Sequence, residues 1–198
     1  FTSEMKAKLL LYHEQYMTPG LGFLRTFLKE QVPTVNNNLV QSLQRILDCY
    51  FEPYHEVEGR EPMTKTEIKA MGDSLESLFI FSFIWSICAT VDHAGRDRFS
   101  SMIRVEMLAN GVKKPFPRKG DVYDYVWDME KMGWKTWMET TDDYVVDSKL
   151  SFAELVVPTA DSVRNTYLLD LLLMKNNHIL MVGETGTGKT VNIAQYLS

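Results

Sequence analysis

The sequence predicts a mixed fold: a helical first half, a short β-containing connector, and the opening of an α/β subdomain left incomplete. Three observations carry this reading. Apolar residues recur at helical spacing as far as Leu108. The segment Lys113 to Gly120 holds Pro115, Pro117 and Gly120, which breaks that pattern. Near the end, a short apolar stretch runs into a glycine-rich loop followed by renewed helical periodicity.

Each element has its own signal. Met5, Leu9 and Tyr12 suggest a first helix, and Leu21, Leu24 and Leu28 with Phe23 and Phe27 suggest a second after Pro19-Gly20. Leu39, Leu43, Ile46, Leu47 and Tyr50 line one helical face, with start signals from Pro33 to Asn38. Tyr54 to Pro62 is polar and reads as a loop. Thr64 and Glu67 fit a capping box, and Ile68, Met71, Leu75, Leu78 and Phe79 continue into an apolar run. Asp92 to Gly95 reads as a turn, and Arg96 to Leu108 as a helix ended by Asn110-Gly111. Asp121 to Trp127 alternates as a strand does. Trp134 and Trp137 suggest a second short strand or an aromatic lid, and Phe152 to Val157 is a short apolar stretch. Asp161 to Met174 reads as a helix capped by Asp161 or Thr159, and His178 to Val182 as a short buried strand.

Composition narrows the function classes. The 198 residues are 45% hydrophobic and 24% charged, which is globular and excludes a disordered or low-complexity chain. A net charge of −5 and a pI of about 5.4 argue against nucleic acid or anionic lipid as partners. Cys49 and Cys88 stand far apart, with no CxxC, which excludes a disulfide scaffold and suits a reducing compartment. The uncharged run Ser77 to Val91 is interrupted by serines and short of the roughly 20 residues of a membrane span, so it reads as a buried helix. No signal-peptide pattern follows Phe1, and the chain reads as a piece of a longer polypeptide.

The chemistry sits in Gly183-Glu184-Thr185-Gly186-Thr187-Gly188-Lys189-Thr190, which matches GxxxxGK[ST], the P-loop. Glycines let the backbone curl until several N–H groups face phosphate oxygens, and the following helix offers its positive end to the same anion. Lys189 is then placed to reach the β- and γ-phosphates of ATP, and the Thr190 hydroxyl to bind Mg²⁺. Turnover needs more: an acidic residue to hold the Mg²⁺ and a group to orient water, which in P-loop proteins lie on later strands. Asp142 and Asp143 precede the motif in a loop, so these 198 residues alone are expected to hold no catalytic residues and to turn over no ATP.

Other candidates have plainer readings. Tyr12-His13-Glu14 and Tyr54-His55-Glu56 lack the second histidine of a metalloprotease, and His93 and His178 read as structural. Tyr123, Tyr125, Trp127, Trp134 and Trp137 are interleaved with Asp121, Asp124 and Asp128 rather than with basic residues, which favours hairpin packing over base stacking. Arg96 and Arg98 read as surface charge, with an arginine finger toward a neighbouring nucleotide as the alternative.

These residues together resemble a dynein heavy chain, axonemal branch. Val156-Val157-Pro158-Thr159, Asp161 to Arg164, Leu168 to Leu173 and the P-loop resemble the start of an AAA+ module of that motor. Phe81 to Ser86 followed by Gly95 to Phe99 is similar to the lid of its second module. Asp121 to Tyr125 with Trp134 and Trp137 resembles the connector into the third. The order of these blocks covers nearly the whole chain. Many relatives carry proline where this chain has Glu184, a change that backbone-mediated phosphate binding tolerates.

The resemblance implies a division: residues 1–112 as helical lid subdomain, 113–147 as connector with aromatic strands, and 148–198 as the N-terminal part of the next large subdomain. It implies that Val157 and Pro158 line an adenine pocket, and that Gly183, Glu184, Thr185, Gly186, Thr187, Gly188, Lys189 and Thr190 hold ATP or ADP with Mg²⁺. The implied role is regulatory, within a microtubule motor ATPase of the cytoskeleton, in the ciliary or flagellar axoneme, with the cytoplasm as the alternative location. The implied partners are the remaining AAA+ modules of the same heavy chain, dynein intermediate and light chains, and microtubules through a stalk outside this sequence. Neither nucleic acid nor a membrane is expected. The alternatives are a non-motor AAA+ remodelling ATPase and a helical interaction domain with a coincidental glycine turn.

Overall fold

The computed structural model describes residues 2–55, 61–145, 155, 157–183 and 185–197. Part of the expected loop at 54–62, most of the apolar stretch at 152–157, and Glu184 lie outside those residues. The chain divides into two compact units, Phe1–Trp134 and Lys135–Ser198.

The first unit is built round one buried helix. Helix α1 (Ser3–Tyr12) continues through a π-helical turn (His13–Met17) into α2 (Thr18–Phe27), and α3 (Asn36–Phe51), α4 (Lys65–Ile87) and α5 (His93–Ala109) follow. Helix α4 starts at the expected capping box: the Glu67 N–H donates to Thr64 Oγ1 at 3.2 Å, and the Thr64 N–H donates to Glu67 Oε2 at 2.8 Å. Every residue from Ser77 to Ile87 is buried, so the helix is apolar on all sides, as a central helix must be. By length and hydropathy α4 could cross a membrane, but 78% of its apolar window is buried inside the protein. Two of its serines are satisfied within the helix, Ser82 Oγ donating to the Leu78 carbonyl (2.8 Å) and Ser86 Oγ to that of Ser82 (2.7 Å), while Ser74 Oγ reaches Met132 Sδ (3.2 Å). The Ser82 and Ser86 hydroxyls therefore leave no orphaned donor.

Aromatic rings seat the other helices on α4. Phe79 meets Tyr12, His13 and Tyr16 at centroid distances of 5.6, 5.2 and 6.0 Å. Phe83 meets Tyr16 and Phe99, at 6.2 and 5.7 Å. Gly20 lets α2 approach: a Cβ there would stand 2.2 Å from Phe83 Cζ. Helix α5 begins at His93 rather than Arg96, because the Asp92 carboxylate accepts the Gly95 N–H at 2.8 Å and draws the start of the helix back by three residues.

His13 gives the first unit a pH signature. Burial against Phe79 holds its imidazole below the usual histidine pKa. The unfolded chain then binds the proton more readily, so this contribution to stability is complete above about pH 6.5 and fades as the pH falls through the lowered folded value. The thermal midpoint of the wild-type chain is expected to drop between pH 7 and 5.5 by more than that of His13→Gln. Parallel curves for the two proteins would contradict this.

The front of the connector packs as part of this unit. Arg104 donates to the carbonyls of Phe116, Pro117 and Gly120 at 3.4, 2.8 and 3.1 Å, which fixes the proline-rich loop. The expected strand over Asp121 to Trp127 is corrected: Asp121 and Asp124 cap a single 3₁₀ turn (Val122–Asp124), and strand β1 runs Tyr125–Asp128. It pairs with β2 (Gly133–Thr136) in a two-stranded sheet. Tyr123, Tyr125 and Trp127 are buried, which bears out the packing reading of the aromatic cluster. Tyr123 stacks edge-on against Trp85 (5.5 Å) and its hydroxyl donates to the Cys88 carbonyl at 2.8 Å.

In the second unit Trp137 lies edge-on to Tyr167 of α6 (Ala160–Leu173) at 5.4 Å. Helix α7 spans Lys189–Leu197. The segment from His178 to Val182 forms no strand and has no strand partner among the described residues, and Leu180 is 86% exposed. The buried-strand expectation is corrected accordingly: a strand of a parallel sheet is buried by its neighbours, and the described residues supply none.

Candidate nucleotide-binding loop

The loop between residues 178–182 and α7 is shaped by two glycines. Gly186 and Gly188 have φ of +85° and +76°, values that L side chains rarely adopt. Between them stands Thr187, and directly after them Lys189 opens α7. Alternating backbone hands of this kind build the concave array of N–H groups that cradles anions. The first helical bond runs from the Asn192 N–H to the Gly188 carbonyl at 2.9 Å, so the helix starts on the loop's last glycine.

Lys189 folds back across the loop. Its Nζ donates to the Gly183 carbonyl at 3.0 Å and to Thr187 Oγ1 at 3.1 Å. Thr190, the second residue of α7, is exposed and carries a hard oxygen donor of the type Mg²⁺ accepts. The phosphate fit thus rests on two positive-φ glycines, an ammonium at the loop and a hydroxyl one residue on.

The supporting helix is capped where the sequence allowed. Thr159, not Asp161, caps α6: Thr159 Oγ1 accepts the Ser162 N–H at 3.2 Å, and the Thr159 N–H donates to Ser162 Oγ at 2.9 Å. Asp161 instead pairs with Arg164. Val157 and Pro158 stand just before this cap, with Val157 59% exposed. The Tyr196 hydroxyl donates to Asp170 Oδ1 at 3.3 Å, joining the last turns of α7 and α6. Sequence reasoning missed this tie and the Thr187–Lys189 bond, since neither follows from the P-loop pattern.

Arg96 lies 5.0 Å above the Tyr123 ring and donates to the Ala89 carbonyl, and Arg98 donates to that of Phe27. His93 is at the solvent-exposed start of α5, 3.8 Å from Asp97. Among the described residues no group of three or more His, Cys, Asp or Glu side chains is arranged to hold a metal ion.

A helical unit is followed in the chain by a P-loop that opens onto a helix. Comparison with known proteins supplies the family. The description "Dynein heavy chain AAA lid domain" matches residues 9–139, and "P-loop containing dynein motor region" matches residues 144–198. The chain belongs to the dynein heavy chain family, as an AAA lid followed by the start of a P-loop motor region. It is 33% identical over 199 residues to mouse dynein axonemal heavy chain 1, covering 92% of this chain and 5% of that protein. It is 33% identical over 183 residues to human dynein axonemal heavy chain 2, covering 92% and 4%. It is 32% identical over 182 residues to the Chlamydomonas reinhardtii dynein-1-alpha heavy chain of the flagellar inner arm I1 complex, covering 86% and 4%. The chain therefore spans about one twentieth of the length of these relatives.

Proposed function

We propose that this chain is the joint between two consecutive AAA+ modules of an axonemal dynein heavy chain, the lid of the second and the P-loop of the third. Residues 1–112 form the lid, 113–147 the connector, and 148–198 the start of the next large subdomain. The P-loop binds ATP or ADP in a regulatory role: Gly183 to Gly188 wrap the phosphates, Lys189 neutralises them, Thr190 holds Mg²⁺, and Val157 and Pro158 face the adenine. The observation that supports this best is the pair of positive-φ glycines with Lys189 at the head of α7, downstream of a matched lid.

Order in the sequence supports the two-site arrangement. In AAA+ modules the lid follows its own P-loop domain, and here the lid comes first. It would close over a nucleotide held earlier in the heavy chain, while Lys189 serves the next site. Coupling between the two is bounded by the difference in nucleotide affinity between the joint's arrangements, typically 1–3 kcal/mol. The motor itself hydrolyses ATP, moves along microtubules through a stalk elsewhere in the heavy chain, carries intermediate and light chains, and resides in the ciliary or flagellar axoneme.

The regulatory role is tested in the intact heavy chain. Lys189→Ala is expected to slow microtubule gliding several-fold while ATP turnover at the other sites persists. Gliding at the wild-type speed would count against regulation by this site, and complete loss of turnover would make it the main catalytic site instead.

A further inference from the structure

We propose that Thr187 is a positioning residue for Lys189, an inference that rests on the nucleotide-binding reading above. Its hydroxyl and the Gly183 carbonyl are two fixed acceptors, 3.1 and 3.0 Å from the same ammonium. They hold the lysine across the loop where the phosphates are bound. A lysine carries its charge on a flexible four-carbon stem, and ordering that stem opposes binding. Two acceptors already in place remove part of that cost before nucleotide arrives.

The surroundings show why Thr187 is placed for this. Gly186 and Gly188 flank it with φ of +85° and +76°, which sets the direction its side chain takes. Across the loop, Gly183 leaves room for it: a Cβ at that position would lie 3.2 Å from Thr187 Oγ1, and 3.8 and 3.9 Å from Lys189 Cδ and Nζ. Gly183, the Thr187 hydroxyl and the Lys189 side chain thus form one close-packed cluster.

The role predicts selectivity among nucleotides. Lys189 serves the β- and γ-phosphates, so a misplaced Lys189 should weaken ATP and leave AMP untouched. The experiment measures ATP and AMP affinity at this site in the intact heavy chain, with the other P-loop sites blocked, for wild type, Thr187→Val, Thr187→Ser and Lys189→Ala. Valine keeps the shape and removes the acceptor. The expected result is a several-fold loss of ATP affinity in Thr187→Val, unchanged AMP affinity, and near wild-type ATP affinity in Thr187→Ser. Unchanged ATP affinity in Thr187→Val would overturn the proposal. So would an equal loss for ATP and AMP, which marks a loop that has merely lost its shape. Lys189→Ala separates the two levels: if it leaves ATP affinity intact, the nucleotide-binding reading fails, whereas if it alone lowers ATP affinity, only the role of Thr187 does.

Discussion

Replacing Lys189 with alanine in the intact heavy chain is expected to lower ATP affinity at this site about ten- to hundredfold. The estimate follows from the bond removed, since a hydrogen bond to a charged group contributes roughly 1.5–3 kcal/mol. The backbone hand set by Gly186 and Gly188 does not depend on the lysine, so the loop is expected to keep its shape and lose its charge. Labelling with a photoreactive ATP analogue, the other sites being blocked, reads this directly. Equal labelling of wild type and Lys189→Ala would mean that this loop does not hold nucleotide phosphates.

The second large effect is expected in the lid. Phe79 is fully buried in α4 and touches the rings of Tyr12, His13 and Tyr16. Phe79→Ala removes the surface against which the first helix and its π-helical turn are seated. The expected cost is about 3–5 kcal/mol, a large share of the roughly 5–15 kcal/mol that holds a domain folded. Leu108→Ala, at a site 83% exposed on α5, is the control and should change stability by less than about 0.5 kcal/mol. Denaturant unfolding of the 198-residue chain followed by tryptophan fluorescence compares them. A Phe79→Ala midpoint no lower than that of Leu108→Ala would contradict the account of α4 as the centre of the unit.

What could be read in advance divides along physical lines. Local rules were legible. The Thr64–Glu67 box, the face of α3 and the burial of Ser77 to Ile87 depend on neighbours within one or two turns, and the sequence displays those neighbours. Side-chain competition was less so. Asp92 extended α5 back to His93, and Asp121 with Asp124 turned three strand-like residues into a 3₁₀ turn, because short carboxylates capture nearby N–H groups whatever the apolar pattern suggests. Long-range geometry was not legible at all. Nothing in the apolar order of residues 178–182 tells whether neighbouring strands are present to bury Leu180. In the P-loop, spacing revealed the glycines and lysine, but the acceptors that Lys189 finds required the folded loop.

The central claim is that the lid and Lys189 serve different nucleotides, and a structure of the parent heavy chain with nucleotide bound tests it most directly. The account predicts that helices from residues 1–112 cover a nucleotide held by a P-loop earlier in the heavy chain, with Lys189 facing the phosphates of a separate pocket. Helices from residues 1–112 closing over the very phosphates that Lys189 contacts would contradict it.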